Sequence, residues 1–344
     1  MEKEKNIKVS IICTAYNHER YIGQALDGML MQKTDFDYDI WINDDASTDN
    51  TAYIIKKYEE KFPDKIHAIY QPNNIYSQGI SPANLLIEKA KGEYIALCEG
   101  DDFWTDCNKL QRQVEYMDKN KDCALCAHAG YYTYEDGVIK KNLFKISDIE
   151  CDLPTEKILS DWIYPTASIL YRQSMRKDLT IPFRGDSVSG DFCLSVYMAL
   201  KGKIHYFPEP MCVYRQMSAS SLSLSQSKDS NRAVKRFESM ISLYERINEY
   251  SKYQFEDLIE NLIKDFKFNM SVVIGDIKAV ESSDIYKNSS IIKKIYLDIK
   301  TKHSFITKFN VKFYKCKESI EYPILKYKTS KMKIKNIVIL PKID

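Results

Sequence analysis

Glycine is scarce in this chain, at 11 of 344 residues, and neither GxGxxG nor GxxxxGK[ST] occurs. Phosphate groups are therefore not expected to rest in a glycine-rich cradle of backbone amides. No apolar stretch approaches the roughly 18 residues that would span a bilayer, so any membrane contact is expected to be peripheral. The opening residues, Met1-Glu-Lys-Glu-Lys-Asn, are charged and no apolar h-region follows them, so no secretory signal is expected. Without secretion the nine cysteines should stay reduced. Cys13, Cys98 and Cys193 sit among apolar neighbours, as buried thiols do. Cys123 and Cys126 form a CxxC, but no second pair stands at zinc-ribbon spacing, which leaves little ground for a metal or redox role. His67, His128, His205 and His303 make no ligand spacing such as HxxxH, which argues against a histidine metal site. His18 lies beside a polar loop within reach of a phosphate, yet its default expectation is a surface position.

Net charge of one sign is also lacking, since the formal total is +2. That near-neutrality conceals an asymmetry. From residue 301 onward eleven lysines face only Glu318, Glu321 and Asp344, a net of +8, which leaves −6 for residues 1–300. An acidic body argues against a nucleic-acid groove. The basic tail, interleaved with Phe305, Ile306, Phe309, Phe313 and Tyr314, would suit an anionic membrane surface, although a solvated helix face is the plainer expectation.

What the chain does have is enough hydrophobic content, 44%, for a packed core, arranged in a repeating order. Lys8 to Cys13 is apolar and rich in β-branched residues, and Glu19 to Met31 carries Leu26, Met29 and Leu30 at helical spacing. The same strand and helix pattern recurs at Tyr38 to Ile42 and Asn50 to Lys61, at Ile66 to Tyr70 and Pro82 to Lys89, and at Tyr94 to Cys98 and Asn108 to Lys119. Ser47 to Asn50 offers N-cap residues and Pro82 suits a first helical turn. Four such alternations predict a mostly parallel, doubly wound sheet. Beyond Cys123 the pattern loosens into extended pieces at Ala124 to Ala129, Ser168 to Tyr171 and Lys203 to Phe207, around a helix from about Asp191 to Lys201. From about Lys228 the chain turns helical, with Phe237, Met240, Ile241 and Tyr244, then Phe255, Leu258, Ile259 and Leu262, at helix spacing. The expected division is a domain over 1–225, itself in two halves, 1–122 and 123–225, and a helical, basic extension over 226–344.

Asp44 and Asp45 follow one predicted strand, and Asp101 and Asp102, with Glu99 beside them, follow another. In an open α/β sheet the carboxyl ends of strands converge on one crevice, where a nucleotide binds. Clustered carboxylates are unfavourable unless a cation neutralises them, and hard oxygen ligands select Mg²⁺ or Mn²⁺. With no glycine cradle, a divalent cation bridging carboxylates to a diphosphate is the remaining route. Asp44 and Asp45 could also accept from a base N–H or from ribose hydroxyls, whereas Asp49 is expected mainly to cap a helix. Phe103 and Trp104 are expected to pack behind the loop.

Three motifs in order, Val9-Ser-Ile-Ile-Cys-Thr-Ala-Tyr-Asn17 with Glu19, Asn43-Asp-Asp-Ala-Ser-Thr-Asp49, and Lys91-Gly-Glu-Tyr-Ile-Ala-Leu-Cys-Glu-Gly-Asp-Asp-Phe-Trp104, resemble the family 2 glycosyltransferases of the GT-A fold, bacterial and of the cell-surface polysaccharide type. The match covers roughly residues 7–222. It implies an α/β fold with a Rossmann-like, mostly parallel central sheet and, here, a helical C-terminal extension. It also implies that Thr14, Ala15, Tyr16, Asn17 and Glu19 line the nucleotide-sugar pocket, and that Asp44, Asp45 and Asn84 join them, Asp45 against the base. Glu99, Gly100 and Asp101 form the DxD-like element, with metal ligation placed on Asp101 and Asp102. Glu99 stands where relatives often have Asp, which leaves open which of the three acids meets the metal directly.

Ser189-Gly-Asp-Phe-Cys to Lys203 resembles the family's acceptor-side element and puts Asp191 at the start of a helix. A carboxylate there is stabilised as an anion by unpaired backbone N–H groups and is ready to accept a proton; its alternative is a mere N-cap. Glu209 to Arg215 resembles a family strand, but Met217 and Ser218-Ala-Ser replace a frequent His and glycine run, and Ala83 replaces a frequent Arg before Asn84. The resemblance implies a metal-dependent, inverting transferase that moves a sugar from a nucleoside-diphosphate sugar, UDP-linked by expectation, to a saccharide or lipid-linked acceptor. It would act in surface polysaccharide assembly from the cytoplasmic side, peripheral to the membrane. A nucleotidyltransferase would show a glycine-rich loop with a basic residue, which Thr14-Ala-Tyr-Asn17 does not offer. A non-catalytic sugar-nucleotide-binding or scaffold subunit would have no need of Asp191.

Overall fold

Each predicted strand and helix pair of the first half is present in the computed structural model, which describes residues 6–133, 139–161, 164–176, 180–185, 190–215 and 230–302. They are β1 (Ile7–Ala15), α1 (Ile22–Leu30), β2 (Asp37–Asp44), α2 (Thr51–Lys61), β3 (Ile66–Tyr70), α3 (Pro82–Lys89), β4 (Tyr94–Leu97) and α4 (Lys109–Lys119). β1 pairs in parallel with β2 on one side and β4 on the other, and β3 extends the parallel run beyond β2. Val9, Ile11 and Cys13 are wholly buried and so is Ser10 between them, because helices cover both faces of a parallel sheet. α1 supplies Ile22, Leu26 and Met29 to that core. α3 begins where Pro82 can tolerate the lack of an N–H, and the Ser81 side chain accepts from the Asn84 amide.

In the second half β5 (Phe103–Trp104), β6 (Cys123–Thr133), β7 (Ile139–Phe144), β8 (Cys151–Leu153), β9 (Leu170–Arg172) and β10 (Lys203–Arg215) surround α5 (Thr155–Ser160) and α6 (Gly190–Ala199). The extended pieces expected at Ala124 to Ala129, Ser168 to Tyr171 and Lys203 to Phe207 are borne out as β6, β9 and β10, and the short strands β5, β7 and β8 are additions that local pattern did not reveal. The sheet order is β3-β2-β1-β4-β9-β6-β10-β5, with β7 on β6 and β8 on β10. Local pattern gave an extended piece over Lys203 to Phe207, and resemblance alone gave a strand over Glu209 to Arg215; β10 joins the two. It continues past Pro208 and Pro210 by slipping register against β6 between Phe207 and Cys212, so that the prolines, which cannot donate, sit in the irregularity.

This order imposes curvature. β4 and β5 stand four strand spacings apart, about 19 Å across a flat sheet. Only residues 98–102 join them, and the Asp102 amide turns back to the Glu99 carbonyl at 3.0 Å, so the connection is far from extended. The sheet must curl to bring β5 back under α1. There Gly28 touches the backbone of Trp104 so closely that a Cβ would lie 2.9 Å from its amide nitrogen and carbonyl oxygen.

The described residues fall into two compact units. The first holds those up to Arg215 apart from Gly185; the second holds Gly185 and the helices from Ser230. The second unit comprises α7 (Ser230–Tyr250), α8 (Glu256–Ile274), α9 (Ile277–Ser282), α10 (Asp284–Lys287) and α11 (Ile291–Lys302). Tyr244 of α7 packs against Phe266 of α8, with ring centroids 5.6 Å apart. α8 ends where Gly275 takes φ +78°, and Asp276 caps the next helix by accepting from Ala279. The proposed edge at 225/226, Met217, Ser218 to Ser220, His303 and the basic tail lie outside the described residues. No helix among the described residues is long and apolar enough to cross a membrane. Cys13, Cys98 and Cys193 are buried free thiols, as expected.

Trp104 and Phe103 are core residues, and Trp104 Nε1 donates to the Ala167 carbonyl at 2.8 Å. Against the Trp104 ring lies an amine the sequence did not flag. Lys109 is wholly buried, its Nζ is 4.2 Å from the ring centroid and it donates to Gln113 Oε1 at 2.8 Å. Burial pushes its pKa down to about 8. Between pH 8 and 10.5 the unfolded chain holds a proton on this amine that the native state does not, so stability attributable to Lys109 rises with pH across that window. In Lys109→Met this contribution should vanish. Unfolding free energies measured by urea titration should show wild type gaining on the variant by up to about 3 kcal/mol from pH 8 to 10.5. A difference that stays flat with pH would refute the buried-amine assignment.

Candidate active site

Two loops at the carboxyl ends of β1 and β2 are locked together by side chain to backbone bonds. Asn17, with φ +56°, donates its amide to Ser47 Oγ at 2.9 Å, and its Oδ1 accepts from the Thr48 amide at 2.8 Å. His18 donates its amide to Thr51 Oγ1 at 2.7 Å. Glu19 and Asp49 exchange similar bonds: the Glu19 amide reaches Asp49 Oδ2 at 3.1 Å, and Glu19 Oε2 accepts from the amide and side chain of Asn50. Glu19, expected to line the pocket, therefore ties β1's loop to the start of α2. Asp49 also accepts from the Thr51 amide and hydroxyl, in keeping with its expected capping role. Ala46 holds φ +59°, a left-handed conformation unfavourable for alanine, so the second loop keeps a strained residue beside the acids.

Asp44 and Asp45 are each 3% exposed. Asp44 Oδ2 accepts from the Ser47 amide at 3.3 Å while its Oδ1 is buried without a partner, and burial raises its pKa. Asp45, placed against the base by resemblance, has both oxygens occupied within the chain. Oδ1 accepts from the Ile75 amide at 2.8 Å and Oδ2 from the Tyr76 amide at 3.1 Å. Thr14 and Ala15 end β1, their carbonyls receiving the amides of Gly100 and Asp45. Tyr16 is 39% exposed. Asn84 Oδ1 accepts from the Arg176 guanidinium at 2.9 Å, so a cation from a distant segment reaches the residue that lacks an arginine before it.

The third loop, 98–102, is stitched to β1 through Cys98 and Gly100 amides that donate to Ile12 and Thr14 carbonyls. Gly100 is required by close approach: a Cβ there would lie 2.8 Å from His18 Nδ1 and 3.1 Å from the Ala15 Cβ. His18 is consequently not the surface residue expected. Its side chain is 12% exposed, with Nε2 3.9 Å from Asp101 Oδ2, and burial lowers its pKa. Its Nδ1 is buried without a hydrogen-bond partner. Glu99 is pushed up to about 8, by burial first and then by the charges of Asp101 and Asp191.

The two expected metal ligands differ sharply. Asp101 keeps 18% side-chain exposure, whereas Asp102 is wholly buried. Asp102 Oδ1 accepts from the Arg215 amide at 2.8 Å, its Oδ2 has no partner, and burial raises its pKa well above the carboxylate range. Arg215, at the end of β10, braces the acid loop and was not singled out by the sequence reading. Its guanidinium donates to the Asp101 carbonyl and to Gln24 Oε1, and lies over the rings of Tyr21 and Phe103 at 4.8 and 4.6 Å. No sequence signal near Arg215 pointed to these contacts. Among the described residues no three His, Cys, Asp or Glu side chains converge to hold an ion by themselves. The all-oxygen donor set and the unpartnered Asp102 Oδ2 fit a hard divalent ion.

Asp191 opens α6, as expected. Its Oδ1 accepts from the Phe192 amide at 2.8 Å and its Oδ2 from Thr166 Oγ1 at 3.2 Å. It acts electrostatically on both Glu99 and Tyr214, which brings the second half's acid to the acid loop.

Strand-end carboxylates gathered at one crevice of a curled, mostly parallel sheet define the GT-A class of nucleotide-diphospho-sugar fold. The glycosyl transferase family 2 model matches residues 10–182, and the chain belongs to that family. An uncharacterized protein of Mycobacterium tuberculosis is 39% identical over 210 residues, 60% of this chain and 58% of that protein, so this chain spans little more than half of that relative's length. An uncharacterized glycosyltransferase of Nostoc is 31% identical over 242 residues, 66% of this chain and 72% of the relative. Among solved structures, Staphylococcus aureus TarS 1–349 in complex with UDP-GlcNAc superposes with a TM-score of 0.54 at 17% identity, covering 89% of this chain and 92% of that one. The mannosyltransferase PcManGT of Pyrobaculum calidifontis in complex with GDP-Man and Mn²⁺ gives 0.53 at 14%, covering 92% and 86%.

Asp102 has its pKa raised in the fold, so the stability linked to it is present at low pH and lost as pH climbs above the unfolded value of 3.8. Asp102→Asn keeps an acceptor for the Arg215 amide and removes that loss. Without ligand, the variant should be at least as stable as wild type at pH 7, and the two should converge towards pH 4. Urea unfolding across that range checks this, and a variant markedly less stable at pH 7 would contradict the assignment.

Proposed function

We propose that this chain is an inverting glycosyltransferase that moves a sugar from a UDP-sugar to a hydroxyl of a saccharide or lipid-linked acceptor, in bacterial surface polysaccharide assembly. The observation that carries the reading is that Asp191, at the N-terminus of α6, bears electrostatically on Glu99 of the acid loop. TarS, whose structure contains UDP-GlcNAc, supports the choice of donor through shared fold.

In this reading Asp191 accepts the proton of the acceptor hydroxyl. The acceptor oxygen forms its bond to the anomeric carbon from the face opposite the bond to the diphosphate. That bond breaks, and the nucleoside diphosphate departs with its electron pair. The Phe192 amide and Thr166 hydroxyl hold the Asp191 carboxylate in place for this role. Mn²⁺ or Mg²⁺, held by Asp101 with Asp102 or Glu99 beside it, would supply neutralisation of the charge developing on the diphosphate and so take the place of a general acid. Arg215 fixes the loop by holding the Asp101 carbonyl and the Asp102 carboxylate. A cytoplasmic enzyme held at the inner membrane face by its basic tail completes the proposal; the tail's eleven lysines support it.

Asp191→Asn should lower sugar transfer by about 10² to 10⁴ while leaving donor binding intact. Donor binding is read as thermal stabilisation by UDP, GDP, dTDP or CMP, each with and without Mn²⁺. Near-normal transfer by a folded Asn variant would remove Asp191 as the base, and the absence of any nucleotide shift in wild type would favour a scaffold role. Truncation near residue 300 should release the protein from anionic vesicles; unchanged vesicle binding would end the membrane proposal.

A further inference from the structure

Cys123 and Cys126 form a motif that the transferase site leaves unused, and their spacing by itself offered little ground for a redox role. Side chains alternate along a strand, so residues three apart should point to opposite faces. β6 breaks that alternation at its start. Against β10 its register runs from Lys203 with Cys123 directly to Ile204 with Leu125, so Ala124 is an extra residue, a bulge that shifts the pleat by one. The two thiols are thereby brought together, Sγ to Sγ 3.7 Å, and both are buried. Cys123 Sγ also lies 3.4 Å from the Leu125 carbonyl, which holds it over the bulge.

Bonded sulfurs stand about 2.05 Å apart, so closing this pair asks for an approach of roughly 1.7 Å. The two thiols are also unequal. The hydrogen bond from the Cys126 thiol lowers the Cys123 pKa against the effect of burial, with help from the His205 backbone, whereas burial raises that of Cys126. Cys123 is the better nucleophile of the two. It is also the first residue of its strand, preceded by the exposed Lys121 and Asp122, while Cys126 lies deeper. A lowered thiol at the edge with a second thiol behind it is the order of attack that disulfide exchange needs.

We propose that Cys123 and Cys126 are a redox pair that closes to a disulfide in the native chain, with a low-molecular-weight disulfide as the oxidant. The Cys123 thiolate attacks one sulfur of the oxidant and expels the other as a thiolate. Cys126 then gives up its proton, attacks Cys123 Sγ in the mixed disulfide and expels the remaining half of the oxidant. The pair loses two protons and two electrons, and the oxidant leaves as two thiols. The bond pins the bulge that sets β6 against β10, the strand that ends in Arg215.

The test is to equilibrate the full chain in mixtures of oxidised and reduced glutathione, block free thiols and digest with trypsin. The peptide Asp122 to Lys140 holds these two cysteines and no other, so its mass reports the pair alone. In the native chain it should become lighter by two hydrogens and return to its reduced mass with dithiothreitol. The native chain should also reach half-oxidation at a lower ratio of oxidised to reduced glutathione than the chain unfolded in urea, because the bulge holds the sulfurs close. Cys126→Ser should stop at Cys123 carrying one glutathione. Two blocked thiols in that peptide after native oxidation, or a bond that forms only in urea, would overturn the proposal even if Cys126→Ser failed to fold. Half-oxidation at the same ratio in both states would overturn it too, since the fold would then contribute nothing to the pair.

Discussion

The first unit gathers acids where water is scarce, and the fold has to supply their partners. Asp44, Asp45 and Asp102 are almost or wholly buried, and Asp101 and Asp191 both bear electrostatically on Glu99. An unpaired carboxylate in such a place costs several kcal/mol by general expectation, so each must be offset by donors the fold provides. The donors are mostly backbone: Ser47 for Asp44, Ile75 and Tyr76 for Asp45, Arg215 for Asp102, and Phe192 for Asp191. Backbone amides are fixed by secondary structure, which makes the acids' positions a property of the sheet and not of flexible side-chain partners. The residual unpartnered oxygens, Asp44 Oδ1 and Asp102 Oδ2, are the part of this charge that the chain alone does not satisfy.

The parallel half was legible because its signal is local. β-branched runs, helical spacing and caps each occupy a handful of adjacent residues, and β3 and α3 fall at their expected bounds. The strand-end placement of the acids was legible for the same reason, once four alternations implied parallel strands. β5, with two residues, and β8, with three, carry too short a pattern to be read, and β10 ran on through two prolines because its irregular register absorbs them.

What was not legible depends on contacts between distant parts of the chain. The bond from Arg215 to Asp102 joins residues 113 positions apart, and nothing near either one announces it. His18 was misplaced because its burial is caused by Gly100, a residue in another loop whose missing Cβ opens the room. Glu19 and Asp45 have the residue types of ligand-binding groups but hold neighbouring loops, and only the geometry of those loops distinguishes the two uses. Residue type thus pointed to the strand-end loops, while the partners of each acid had to be read from the hydrogen bonds.

The loop that carries Glu99, Asp101 and Asp102 hangs between β4, paired to β1, and β5, paired to the far end of β10. During synthesis, then, the ribosome delivers the acids more than a hundred residues before it delivers the strand and the arginine that hold them in place. A nascent chain that has completed only its first half carries a constellation of acids with one side of its scaffold missing. The two halves are therefore a single maturation unit, and an ancestor or engineered fragment ending before β10 would have inherited the residues of the site without its shape.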